Sequence, residues 1–178
     1  MSKERIQKIL AQNGYSSRRK IENLIKEGRV FINDSPAKLG DKIATEEKIF
    51  IDGKEINISQ RISSELLMYN KPVGEECTHT STKRTVFDSL PKPKSGKWIC
   101  IGRLDINTSG LLLITNDGKL ANEIIHPSKD TEREYIVRVR GKPSDSNLRK
   151  LMSGVKIDSE EIFFSDLVRG KETSSHTW

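Results

Sequence analysis

The chain has 178 residues, 31 Lys plus Arg against 25 Asp plus Glu, a formal net charge of +6 and 34% hydrophobic residues. That length makes one ordinary domain or two small ones, and no window nears the roughly 20 consecutive apolar residues of a membrane-spanning helix. Met-Ser-Lys-Glu-Arg-Ile at the start lacks a secretory apolar segment, while Cys77 and Cys100 are too few for a disulfide framework or a four-ligand zinc site.

These features predict a soluble, cytoplasmic protein with two reduced thiols. Cys77-Thr78-His79 offers two metal ligands, but no third stands at ligand spacing, so no metal is expected. A pI near 9.3 favours a polyanionic partner. The basic charge gathers at the N-terminus: residues 1–29 hold Lys3, Arg5, Lys8, Arg18, Arg19, Lys20, Lys26 and Arg29 against Glu4, Glu22 and Glu27.

In that stretch Ile6, Ile9 and Leu10 recur at helical spacing, Gly14 stops the helix, and Ile21, Leu24 and Ile25 repeat the pattern. Ser16 or Ser17 supplies an N-cap oxygen for the second helix, and Gly28 suits its exit. Arg18, Arg19 and Lys20 then crowd the outer face of the first turn, where positive charge opposes the macrodipole at about 0.3–1 kcal/mol each. A conflict of that kind points to a role beyond folding.

From Arg29 the period becomes two. Val30 and Ile32 alternate with Phe31 and Asn33, Asn33-Asp34 marks a turn, and residues 48–56 read as a hairpin around Asp52-Gly53. Residues 1–58 therefore form a small helix-helix-strand domain, followed by a polar linker at 59–65.

The second region, 66–178, opens with the apolar strand Leu66-Leu-Met-Tyr69 and the turn Asn70-Lys-Pro-Val-Gly74. Residues 85–90 read as one helical turn, and Pro91-Lys-Pro-Lys-Ser-Gly96 is a basic, turn-rich break. Trp98–Ile101 and Leu111–Thr115 read as strands flanking the polar segment Gly102–Gly110. A helix over about 117–125 and a strand over 135–140 follow. A Ser144-capped helix closed by Gly154 and strands near 155–157 and 161–168 complete the pattern. Strands broken by short helices, without regular βαβ alternation, predict an α+β fold with a mixed, mainly antiparallel sheet.

The loop Gly102-Arg-Leu-Asp-Ile-Asn-Thr-Ser-Gly110 sets a carboxylate two residues from an Arg, with glycine at both ends. Extended geometry would put Arg103 and Asp105 on one side, and an Arg beside a carboxylate favours its ionised form, as an anionic nucleophile or base requires. A structural Arg-Asp pair stabilising the loop is the plainer alternative.

Asn70-Lys-Pro-Val-Gly74, the run Gly102 to Gly118 and Arg133-Glu-Tyr135, in that order, resemble the RNA pseudouridine synthases of the small-subunit synthase A branch. Residues 1–58 resemble the S-four type RNA-binding domain that precedes such catalytic domains. The resemblance implies that Asp105 is the catalytic carboxylate in the isomerisation of uridine to pseudouridine. It implies that Arg103 holds the opened RNA and pairs near that carboxylate, and that Tyr135 lies against the uracil. Arg18, Arg19, Lys20 and Arg29 become RNA-binding candidates, with Lys71 a weaker one. No cofactor is implied; the implied partner is ribosomal RNA, through a large-subunit hairpin, and a monomer is the default.

Members of that family continue past Ser174-Ser-His-Thr-Trp178 with further strands and a basic motif, so the resemblance predicts a catalytic domain incomplete at its C-terminus. The competing expectation is a truncated, noncatalytic RNA-binding protein.

Overall fold

The computed structural model describes residues 3–44, 46–58, 63–139 and 141–170. By packing, the chain divides into two compact units, residues 1–131 and 132–178.

The first unit begins with β1 (Glu4–Arg5), α1 (Ile6–Gln12) and α2 (Arg18–Lys26). It continues through β2 (Val30–Ile32), β3 (Ser35–Pro36), β4 (Lys42–Ile43), β5 (Ile49–Ile51) and β6 (Lys54–Ile56). The helical periodicity of the sequence becomes a shared apolar seam between α1 and α2. Ser17 is the N-cap of α2, its hydroxyl accepting the Lys20 amide at 3.3 Å. Strand order is β3-β2-β5-β6, and β1 pairs with β4. Asp52 and Gly53 both take positive φ (52° and 74°), the geometry that lets a two-residue turn follow the twist of its flanking strands. Ile6, Leu10, Ile21, Ile25, Val30, Ile43, Ile49 and Ile51 form one closed core, each buried. Side chains of this size contribute roughly 1.5–3 kcal/mol each on burial.

The same unit then forms a three-stranded antiparallel sheet of order β7-β9-β8 from β7 (Leu66–Lys71), β8 (Ile99–Ile101) and β9 (Gly110–Thr115). Registry opposes Leu67 to Ile114, Tyr69 to Leu112 and Cys100 to Ile114, so these residues share a face with Val86 and Trp98 in a second, smaller core. The helix α3 (Gly118–Ile125) packs on β8 and β9. Its N-cap is Asp117, whose Oδ1 accepts the amides of Lys119 at 2.8 Å and Leu120 at 3.3 Å. Among the described residues every paired strand is antiparallel, and parallel pairing is confined to a single bridge between Glu76 and Thr85.

The helical region touches the sheet region at two glycines. Gly96 has φ +70°, and a methyl group there would lie 2.4 Å from the Gln12 carbonyl oxygen at the end of α1. Only glycine satisfies both conditions.

In the second unit α4 (Asp145–Ser153) starts at the Ser144 cap, and β10 (Val155–Ile157) pairs with β11 (Glu160–Ile162). Two expectations fail here. Of the strand expected over 135–140, residues 135–139 form none and residue 140 lies outside the described residues, and the strand expected over 161–168 is confined to 160–162. Alternation reports which side chains would share a face, but a strand exists only where a neighbour takes its backbone hydrogen bonds. Ile136 is fully exposed, and Val137, Phe163 and Val168 are also exposed.

Candidate active site

The 102–110 loop joins two neighbouring strands of one sheet. It leaves β8 through Gly102 at φ +85°, a left-handed turn that re-aims the chain without a Cβ penalty. Beyond it, exposure alternates: Arg103, Asp105, Asn107 and Ser109 face solvent, while Leu104, Ile106 and Thr108 are partly covered. Arg103 and Asp105 thus lie on the open side together, as extended geometry requires. They form no ion pair, and among the described residues neither side chain has a hydrogen-bond partner. The structural Arg-Asp pair is absent, and the Asp105 carboxylate is left open to solvent.

The loop backbone is held from below. Lys71, at the end of β7, is fully buried, and its Nζ donates to the carbonyls of Thr108 at 2.7 Å, Asp105 at 3.0 Å and Pro72 at 3.0 Å. Three donors meet three acceptors, which is what allows an ammonium to leave water. The Thr108 amide closes a turn onto the Asp105 carbonyl at 2.9 Å, and the Gly74 amide donates to Ile106 at 2.7 Å. Cys77 donates its thiol to the Leu104 carbonyl at 3.3 Å. Lys71 therefore presents no charge to a phosphate; its contacts hold the loop.

A second buried group stands beside these anchors. Glu75 is 1% exposed and accepts from the Tyr69 hydroxyl at 2.6 Å and the Ser89 hydroxyl at 2.9 Å, with the Arg84 guanidinium at 3.1 Å. Burial, and then the bond to Glu75, push the Tyr69 phenol up. Asn116, also 1% exposed, binds the Glu65 amide through Oδ1 at 2.8 Å and the Ser63 and Ser95 carbonyls through its amide nitrogen. Sequence reading missed both. The only signal was a polar residue directly following a Gly turn or an apolar strand, where solvent exposure is the usual outcome.

Cys77 and His79 each have structural work. The His79 ring stacks on Phe87 with centroids 3.7 Å apart, and its Nε2 lies 2.8 Å from the Trp98 carbonyl. Burial pushes the Cys100 thiol up to about 12, which keeps it protonated. Among the described residues no three His, Cys, Asp or Glu side chains gather as a metal site. No described helix is long and apolar enough to cross a membrane.

Of the basic candidates, Arg18, Arg19 and Lys20 are exposed on the first turn of α2. Arg29 differs: it makes a two-pronged pair with Asp52 at 2.6 Å on each arm and also meets Glu27 at 3.0 Å. Those partners raise the Arg29 pKa and hold the Asp52 carboxyl below the usual carboxylate range. Its charge is already matched by the protein's own carboxylates. Tyr135 lies in the second unit, 57% exposed, within the unpaired 132–139 stretch.

Residues 65–178 match the sequence family described as RNA pseudouridylate synthase, and residues 4–49 match the S4 domain. The chain is 46% identical over 181 residues to ribosomal large subunit pseudouridine synthase B of Vibrio vulnificus, covering 98% of this chain and 57% of that protein. With the Escherichia coli K12 protein of the same name the identity is 45% over 170 residues, covering 92% and 58%. The chain thus spans a little over half the length of these curated relatives. A solved structure titled as a crystal structure of pseudouridylate synthase aligns with a TM-score of 0.55 at 23% identity, over 97% of this chain and 74% of that one.

Proposed function

Because the chain belongs to the RNA pseudouridylate synthase family, we propose that it isomerises uridine to pseudouridine in ribosomal RNA, with Asp105 as the catalytic carboxylate. One observation carries the reading: the Asp105 side chain is open and unpaired while its own backbone is clamped by the buried Lys71 ammonium. A group that must meet a reacting sugar needs this combination of a fixed base and a free head, since misplacement by about 1 Å can cost a hundredfold in rate.

In the reaction the N1 glycosidic bond breaks, the uracil turns, and C5 joins the same sugar carbon, so no atoms are gained or lost. Asp105 supplies its anion either by attacking that carbon or by taking the neighbouring 2′ proton to give a glycal. The uridine must leave its stack first, at a few kcal/mol. Arg103, on the same open side, is suited to hold the displaced strand through its phosphate. Tyr135 is the residue we assign to the uracil face.

The names of the relatives support a large-subunit ribosomal RNA substrate. A hairpin loop suits it, because unpaired bases are accessible while A-form helices hide theirs. In this reading the N-terminal region, 1–58, binds RNA through Arg18, Arg19 and Lys20, residues 59–65 link it to the catalytic region 66–178, and one copy of the protein acts in the cytoplasm.

Incubation of the protein with unmodified large-subunit ribosomal RNA tests this. The isomerisation leaves mass unchanged, so pseudouridine is read by carbodiimide derivatisation and reverse-transcription stops. A new stop at one uridine is expected; an RNA profile identical to the untreated control overturns the reading and favours a noncatalytic RNA-binding protein.

A further inference from the structure

The basic break at 91–96 was left without a role by the site above. Lys94 and Lys97 are exposed there, beside the seam where Gly96 meets the end of α1. The Lys97 ammonium reaches back to the Tyr15 carbonyl, just ahead of α2, at 3.5 Å. On the other side of the seam the Arg18 guanidinium comes within 3.8 Å of where a methyl on Gly118 would stand, at the first residue of α3. Lys119, the next residue, is exposed.

We infer that the RNA-binding surface does not end at α2 but crosses the seam, so that Arg18, Arg19 and Lys20 continue into Lys94, Lys97 and Lys119 as one track for an RNA phosphate backbone. Three independent contacts join its two halves: Gly14 with Gly96, Lys97 with Tyr15, and Arg18 with the start of α3.

The neighbouring acids keep their charge but turn their oxygens to other partners. Glu65 spends its Oε2 on the Lys94 amide at 2.7 Å and the Asn116 side chain at 3.1 Å. Asp117 gives its Oδ1 to the amides of its own helix. None of the six basic side chains forms a close ion pair among the described residues, although Asp117 feels the charge of Lys119. Arg18, Arg19, Lys20 and Lys119 all stand in the first turns of helices, where positive charge is locally unfavourable and an external anion relieves it. A phosphate chain is the ligand that fits six separated cations, since consecutive charges along it are each met by a Lys or Arg.

The inference rests on the RNA-modifying reading, and the test separates them. Binding of the full protein to a labelled RNA hairpin with a uridine-rich loop is measured across a NaCl series. Three triple variants are compared: Lys94→Ala/Lys97→Ala/Lys119→Ala, Arg18→Ala/Arg19→Ala/Lys20→Ala, and the control Lys38→Ala/Lys42→Ala/Lys54→Ala. Each lost phosphate contact lowers the slope of log K against log salt by about 0.7–0.9. The first two variants should each lose about two units of slope, and the control, with equal charge removed, none. If the 94/97/119 variant matches the control while the α2 variant is impaired, the track stops at α2 and the inference fails alone. If both match the control, RNA recognition through this region fails with it.

Discussion

The two halves of the first unit are held together by different physics. Residues 3–58 close on an apolar core in which Ile6, Leu10, Ile21 and Val30 are all fully buried. Gln7 is the one polar side chain buried with them among the described residues, and charged groups pair at the surface, as Arg29 does with Asp52. Residues 63–131 have a smaller apolar core and bury Lys71 and Glu75 near the loop and Thr115 and Asn116 at the opposite end of β9. Apolar packing is non-directional and gives stability, whereas buried hydrogen bonds fix particular atoms in particular places. The region with the candidate catalytic carboxylate is the one built the second way.

Leu10→Ala should sharpen this contrast most. It removes a fully buried side chain from the apolar half and should cost about 2–5 kcal/mol in urea unfolding. Lys71→Met should cost less, about 1.5–3 kcal/mol, because it strands the carbonyls of Thr108 and Pro72 and loosens that of Asp105. Its signature should be faster hydrogen exchange at the Gly74 and Thr108 amides, with the salt slope of RNA binding unchanged. A reduced slope would mean that Lys71 meets phosphate after all.

Gly96→Ala probes the seam. The added methyl must displace the Gln12 carbonyl from 2.4 Å at a backbone φ of +70°. About 1–3 kcal/mol of destabilisation is expected, together with weaker RNA binding. Loss of stability with unaltered binding would separate the seam from the basic track.

The smallest effect concerns the α3 cap. Desolvation pulls the Asp117 pKa up, but the Lys119 and Leu120 amides, the Ser64 side chain and the Lys119 charge together outweigh it, so the group titrates below its ordinary value. Its stabilisation is thus present above the unfolded pKa near 3.9 and disappears as pH falls through the lower folded value. Asp117→Ala should cost about 1 kcal/mol at neutral pH, while Asp117→Asn should keep the cap and flatten that part of the acid profile. Urea midpoints across pH 2 to 7 would show it.

What the sequence made legible followed from local rules. Ile6, Ile9 and Leu10 announced α1; the Ser16-Ser17 pair and Asp117 announced helix starts; Asp52-Gly53 announced a hairpin. The antiparallel sheet and the loop between its strands followed from the apolar runs on either side of 102–110. What was not legible depends on neighbours distant in the chain. Lys71 reads as a solvated turn residue until Thr108 and Asp105 are folded over it. Arg29 reads as a free cation until Asp52 arrives from the hairpin. Residues 135–139 alternate as a strand does, but alternation says nothing about a pairing partner, and the structure gives them none.

The central claim is that Asp105 supplies the anion of uridine isomerisation while others bind the RNA, and Asp105→Asn tests it most directly. Its side chain is exposed and has no partner, so the variant should unfold within about 0.5 kcal/mol of the parent. It should also bind the RNA hairpin with the parent's affinity and salt slope. Pseudouridine formation in unmodified large-subunit ribosomal RNA, measured in a single turnover, should fall below detection. An Asp105→Asn protein that modifies the same uridine at the parent rate would contradict the account.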